Sequence, residues 1–263
     1  MNIADRQKPA PGELFVDHVS HFVADLDAAA AVFESVGLKV TPLSVQQTPE
    51  GPVGASNRCV MLEEGYIELL SPTHDTAAAQ RMRALMARYN GVHLLCYGTP
   101  DAEAEHQRLQ AHGFEPQPLV DLSRAVDGGT ARFKVVRLPP EKMPEGRIQY
   151  VQQLTPEFLW RRGEVNPFRL EEVFVAARDA VKTAARWARF SGLIPRPQRD
   201  GVRLETARGS IAIAKGKAPA LAGYTLRCRN ARAFAKRCAK AGLEVKGATV
   251  KLPPALGGWW RLR

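Results

Sequence analysis

The sequence predicts an α+β fold of four βαβββ modules, arranged as two paired curved mixed sheets. Three observations carry this. Residues 14–38 (LFVDHVSHFVADLDAAAAVFESVGL) and 91–114 (GVHLLCYGTPDAEAEHQRLQAHGF) share one pattern: a strand-like run with a histidine, a turn with Asp and Ala, an amphipathic helix, then Gly and an apolar residue. Each copy is followed by three more strand candidates. Weaker copies of the same order then fill residues 170–214 and 221–263. Such self-similarity marks one supersecondary unit used repeatedly. Strand, helix and three strands, repeated, favour a curled mixed sheet around a cavity over a parallel doubly wound sheet.

In the first module, alternation along 14–23 puts Val16, His18, Ser20 and Phe22 on one face and His21 on the other. Leu26, Ala29, Ala30, Phe33 and Val36 recur at helical spacing, and Gly37 ends that helix. LKVTPLSVQ, RCVMLEE and GYIELLSP supply the three strands, and a connecting helix is expected over 75–89. The second module reads as strand 91–98, helix 101–112 and strands near 116–120, 131–138 and 147–154. DLSRAVDGGT (121–130) reads as a loop insertion. The histidine precedes the closing glycine by 19 residues in the first copy (His18 to Gly37) and by 20 in the second (His93 to Gly113). ELLSP and QQLTP close the two modules, and anchoring on Pro72 and Pro156 sets Glu68 opposite Gln152.

The third module offers RLEEVFVAA, a helix ending at Gly192, and the strands GVRLETARG and SIAIAKG. The fourth offers GYTLRC, the helix ARAFAKRCAKAGL and short strands, with VKLPP (250–254) echoing VRLPP (136–140). The expected organisation is a flexible lead (1–13), a module pair with the candidate site (14–156), a linker (157–169) and a divergent pair without site residues (170–263).

Composition narrows the function. The 263 residues are 45% apolar and 24% charged, enough for a real core. No stretch has the 18 or more apolar residues of a membrane span, and MNIADRQKPAPGE lacks the apolar centre of a signal peptide. Four scattered cysteines without a CxxC read as reduced thiols of a cytoplasmic protein. Residues 157–263 carry 23 Lys and Arg against 8 Asp and Glu, whereas the rest carries 14 against 19. A basic half suits an anionic ligand or nucleic acid. Without any RNP, KH, zinc-finger or helix-turn-helix signature, the expected partner is a small molecule. A homodimer stays open.

DHVSHFVADLDAAAAVFESVGL, the Asn of GASNRCVML, and GYIELLSP resemble the vicinal oxygen chelate superfamily, and within it the bacterial glyoxalase-like domain proteins. The resemblance is good over 14–156 and weak beyond. It implies that paired modules cup a metal held by the first and last strand of each. Carried over by position, the ligands are His18, Glu68, His93 and Gln152, the last departing from the more usual Glu. Two imidazoles and one carboxylate suit Ni, Mn, Fe or Zn, and no nucleotide cofactor is implied. Glu68 is the expected proton-transfer residue, with Asn57 and Tyr150 as substrate contacts. The implied activity is a metal-dependent lyase or isomerase acting on a small, oxygen-rich anionic metabolite. The alternative is a metal-free binding or sequestration protein in which His18 and Glu68 pair by hydrogen bond.

Overall fold

Asp25 sets the first module in motion. Its side chain accepts hydrogen bonds from the backbone N–H groups of Asp27 and Ala28, the N-cap role that a short acceptor performs well. It thereby separates β1 (Phe15–Phe22), buried along its whole length, from α1 (Leu26–Ser35). Gly37, at φ 78°, then turns the chain out of the helix toward β2 (Ser44–Thr48), β3 (Gly51–Glu64) and β4 (Tyr66–Pro72). The connecting helix α2 (Ala77–Met86) leads into β5 (Val92–Gly98), α3 (Ala102–Ala111), β6 (Val120–Val126), β7 (Gly129–Val136) and β8 (Arg147–Gln153). The third module is β9 (Asn166–Ala177), α4 (Ala180–Ser191), β10 (Pro195–Gln198), β11 (Gly201–Thr206) and β12 (Gly209–Lys215). The fourth is β13 (Ala220–Cys228), α5 (Ala231–Lys240), β14 (Glu244–Lys246), β15 (Thr249–Lys251) and β16 (Trp259–Leu262). This is a computed structural model describing residues 2–161 and 163–263; Met1 of the expected lead and Arg162 of the expected linker lie outside them.

Within each module the first and last strands run parallel: β1 with β4, β5 with β8, β9 with β12, β13 with β16. Between modules the first strands pair antiparallel, β1 with β5 and β9 with β13. Residues 121–130 are a hairpin rather than a loop. Leu122 and Arg124 alternate into the interior, and Asp127–Gly128, with Gly128 at φ 80°, makes the tight turn between β6 and β7.

The expected two sheets are one. The eight strands of the first two modules close in the order β4-β1-β5-β8-β7-β6-β2-β3 and back to β4. The eight strands of the last two form an open extension, β10-β11-β12-β9-β13-β16-β15-β14. β3 joins β9, and β5 joins β13, across the boundary. The architecture is a closed eight-stranded mixed barrel with extra strands and, among the described residues, five α-helices.

One apolar cluster runs through both halves, including Phe33, Tyr150, Trp187, Tyr224 and Trp260. A smaller one, including Phe22, Met61, Leu94, Cys96 and Phe133, fills the barrel. The N-terminal lead docks on this body: Gln7 is buried, its amide donates to the Glu63 carbonyl and its Oε1 accepts from the Gly65 N–H. His21 also ties the halves together. Its ring lies 3.1 Å from both the Leu256 carbonyl and the Tyr224 hydroxyl. Burial pulls its pKa down to about 4, so the ring is neutral at pH 7. Nδ1–H must donate to the carbonyl, and Nε2 accepts from Tyr224. Trp260 Nε1 completes the chain by donating to the Tyr224 hydroxyl at 2.7 Å. No helix among the described residues is long and apolar enough to cross a membrane.

Candidate functional site

Closing a sheet places alternate side chains of every strand inside, and here that interior is not wholly apolar. His18 of β1 projects into it, stacked on Tyr66 at 4.3 Å between ring centroids. Its Nδ1 lies 2.7 Å from Asp17 Oδ1. Because a carboxylate only accepts, Nδ1 carries the proton and Nε2 faces the cavity, 3.9 Å from Glu68 Oε2. Gln153 Nε2 holds Asp17 from the other side, at 3.1 Å from each oxygen. Glu68 of β4 is buried and held by neutral donors. Ser20 Oγ donates to Oε2 at 2.5 Å, while Asn57 and Gln46 amides donate to Oε1 at 2.7 and 3.0 Å. Asn57 in turn accepts from Arg124 Nη1 at 2.8 Å.

Of the four expected ligands, the fold brings His18 and Glu68 together and places His93 and Gln152 elsewhere. His93 spends both nitrogens on backbone: Nε2 is 2.8 Å from the Tyr89 carbonyl and Nδ1 accepts from the Phe22 N–H at 3.3 Å. Its ring is sandwiched by Phe22 and Tyr89, and burial lowers its pKa. Gln152 accepts from the Ala102 N–H at the start of α3 and donates to the Pro100 carbonyl. Tyr150, expected at the substrate, faces away from the barrel, donating to the Phe190 carbonyl and accepting from Arg108. Asn57 does line the cavity, as Glu68's donor.

The register explains these placements. Asp25 and Asp101 cap equivalent helices and Gly37 and Gly113 follow them, an offset of 76 residues for both pairs. That offset carries His18 onto Leu94, one residue past His93, and one residue along a strand reverses the face. The unequal histidine-to-glycine spacings, 19 and 20, are that slip. Likewise Ser20 pairs with Glu68 and Cys96 with Gln149, so Gln149, three residues before Gln152, is the counterpart of Glu68. His18, Glu68, Leu94 and Gln149 all line the barrel cavity, whose free volume is about 40 Å³. That is room for a few waters or a small head group.

The arginines escaped the sequence reading. Arg124, Arg137 and Arg147 also line the cavity. Burial, then the charges of Arg137 and Arg81, push the Arg147 pKa down to about 9. Burial and Arg81 lower Arg137 as well. Several buried polar atoms on β8 and just after β7 lack a partner among the described residues: Gln149 Oε1, Gln153 Oε1 and Arg137 Nε. A buried group left unpaired costs about 1–3 kcal/mol, so an oxyanion with a neighbouring donor would find complementary atoms here. The only signal in the sequence was position: Arg124, Arg147 and Gln149 sit on the inward phase of strands whose other inward residues are apolar.

The donor set does not fit a transition metal. The second imidazole is replaced by Leu94, the final carboxylate by the neutral Gln149, and both Glu68 oxygens are already occupied. Among the described residues no three His, Cys, Asp or Glu side chains gather as a metal-binding group.

A family profile described as glyoxalase-like domain matches residues 16–191. Among solved structures, a hypothetical protein from Staphylococcus aureus superposes with TM-score 0.74 at 16% identity, over 95% of this chain and 99% of that one. A mutant 4-hydroxymandelate synthase from Streptomyces coelicolor gives 0.66 at 14%, over 95% and 92%. A Mn(II)-bound glyoxalase from Novosphingobium aromaticivorans gives 0.61 at 13%, over 94% and 80%. At such identities the likeness is one of fold. No curated protein sequence matches the chain.

Proposed function

The chain belongs to the glyoxalase-like domain family of the vicinal oxygen chelate superfamily, and from that premise we propose that its barrel binds a small organic acid without a metal. The observation that carries the reading is the pair Arg137 and Arg147, directed at a cavity whose neighbouring acids are held by other groups, Glu68 by Ser20, Asn57 and Gln46 and Asp17 by His18 and Gln153. Two guanidiniums with no hydrogen-bonded or ion-paired acid among the described residues, in a site partly withdrawn from water, favour an anion. Gln149 Oε1, unpartnered beside them, suits a hydroxyl or N–H donor on the same ligand. The metal-dependent lyase or isomerase expected from the resemblance is disfavoured by the same residues, because Leu94 and Gln149 stand where an imidazole and a carboxylate would be needed.

Calorimetry with butyrate in excess EDTA tests this. Saturable binding that weakens at least tenfold in Arg147→Met, and is unchanged in Gln152→Ala, supports it. Absence of binding, or binding that returns only when Mn(II) or Zn(II) replaces EDTA, overturns it.

One observation favours catalysis as a second reading. The 2.7 Å Asp17–His18 contact fixes the imidazole with its basic Nε2 toward the cavity, the arrangement of a general base. Nε2 would take a proton from the carbon next to the ligand carboxylate. The electron pair would pass into the carboxylate as an enediolate, stabilised by Arg137 and Arg147. Loss of the α-proton NMR signal of butyrate in D2O, abolished by His18→Gln, is the expected result. No exchange above the protein-free rate leaves binding alone.

A further inference from the structure

Arg137 and Arg147 border two spaces. One is the barrel cavity; the other is a groove of about 260 Å³ between α2 and the segment from Arg137 to Ile148. Apolar atoms of Ala84, Leu85, Leu138, Met143 and Ile148 line its length. Among the described residues its charged lining consists of arginines, Arg81, Arg88, Arg137 and Arg147, with no carboxylate. Arg88 is held by the carbonyls of Pro144 and Pro219. Among the described residues, the other three have no side-chain hydrogen bond or ion pair, and Arg137 Nε is buried unpaired. Like charges gathered on an apolar wall are destabilising unless something neutralises them. Burial lowers both Arg137 and Arg147, and the charge of Arg81, with that of Arg137 acting on Arg147, adds to it.

An apolar trough ending on unpaired guanidiniums describes its ligand: a hydrocarbon body with an anionic head. We infer that the α2 groove holds the aliphatic chain of a medium-chain carboxylic acid whose carboxylate lies between Arg137 and Arg147. The inference rests on the proposed anion site for the head group, and it changes the expected ligand from a short, oxygen-rich metabolite to an amphipathic acid. The groove is slightly smaller than the 300–1,000 Å³ usual for drug-sized ligands, which suits a chain of modest length. Each methylene buried raises affinity up to about fourfold.

Calorimetry on the full chain with butyrate, octanoate and octan-1-ol tests this. The variant Ala84→Trp fills the groove from an exposed helix position and replaces no arginine. The expected result is that octanoate binds at least tenfold tighter than butyrate, that octan-1-ol binds at least tenfold more weakly than octanoate, and that Ala84→Trp removes the octanoate advantage while leaving butyrate unchanged. Equal affinities for butyrate and octanoate overturn the inference, as does an octanoate advantage that survives Ala84→Trp. Octan-1-ol binding as tightly as octanoate overturns the anionic head. If octanoate binding is lost in Ala84→Trp but indifferent to Arg147→Met, the barrel reading and the head-group placement both fall and only an apolar groove remains.

Discussion

The two halves repeat one topology and differ in closure. In the first, β2 pairs with β6 through Gln47 and Ser123 and seals the barrel. Their counterparts in the second, β10 and β14, lie at opposite ends of the open sheet. β10 has four residues, two of them proline, and β14 has three. Proline brings no N–H to a ladder, so these edges cannot zip together as β2 and β6 do. Charge follows closure. In the barrel, Ser20 donates to Glu68 across β1 and β4; in the open half Ser210 donates to Glu172 across β12 and β9, the same pair with its strands exchanged. Glu172, however, is also bridged directly by Arg203, so acid and base cancel. In the barrel, neutral donors satisfy the acid and the arginines are left over. A site requires that kind of unspent charge, and at the equivalent pair in the second half it is neutralised.

The largest expected effect tests whether the halves are one folding unit. Trp260, fully buried in the cluster they share, should lose about 3–5 kcal/mol of stability on replacement by Ala. Thermal unfolding followed by circular dichroism should remain a single transition at lower temperature. A second transition with the barrel's original midpoint would show that the halves fold separately.

The next effect concerns the neutral imidazole between them. His21 has a pKa of about 4 when folded and about 6.5 when exposed, so the unfolded chain binds its proton first as pH falls. Stability is therefore full above pH 6.5 and is lost progressively toward pH 4, by about 3 kcal/mol. Urea denaturation from pH 7.5 to 4.5 should show this slope, reduced in His21→Gln. His93, also lowered by burial, leaves a smaller slope of the same sign. A pH-independent midpoint in the wild type would mean that His21 is not held neutral.

Smaller still is the contrast between the two acids. Glu172→Gln breaks a charged bridge, at about 1–2 kcal/mol because Arg203 is one-third exposed and screened. Glu68→Gln keeps neutral partners and should cost less. Equal losses in chemical denaturation would erase the distinction between a cancelled acid and a neutrally held one. The smallest change in stability, about 1 kcal/mol, is expected for Leu94→His, which restores an imidazole at the repeat position of His18. It should introduce transition-metal binding measurable by calorimetry, whereas His93→Gln in the wild-type background should alter none.

The repeat and the succession of strands and helices along the chain were legible in the sequence, because hydrophobic period and helix caps are local; the pairing of His18 with Glu68 was implied by the family resemblance. Register was not. His93 looked equivalent to His18 by residue type, yet the strand admits only even steps on one face, and the one-residue difference in spacing was visible and decisive. Gln152 was displaced by three because proline marks where a strand ends, not its phase. Arg124 was hidden in DLSRAVDGGT, where Asp and two glycines resemble a loop but build a hairpin turn. Barrel closure depends on β2 meeting β6, a pairing between residues 76 apart that no local pattern announces.

The central claim is that arginine charge is unspent in the barrel cavity and cancelled at the equivalent pair, Arg203 and Glu172, in the open half. Arginine side-chain 1H–15N spectra, recorded with EDTA during a butyrate titration and assigned with Arg147→Met and Arg203→Lys, test it most directly. The account expects the Arg137 and Arg147 Nε–H resonances to shift and become protected from exchange while Arg203 stays still. Movement of Arg203 alone, or of none until Zn(II) is added, would contradict it.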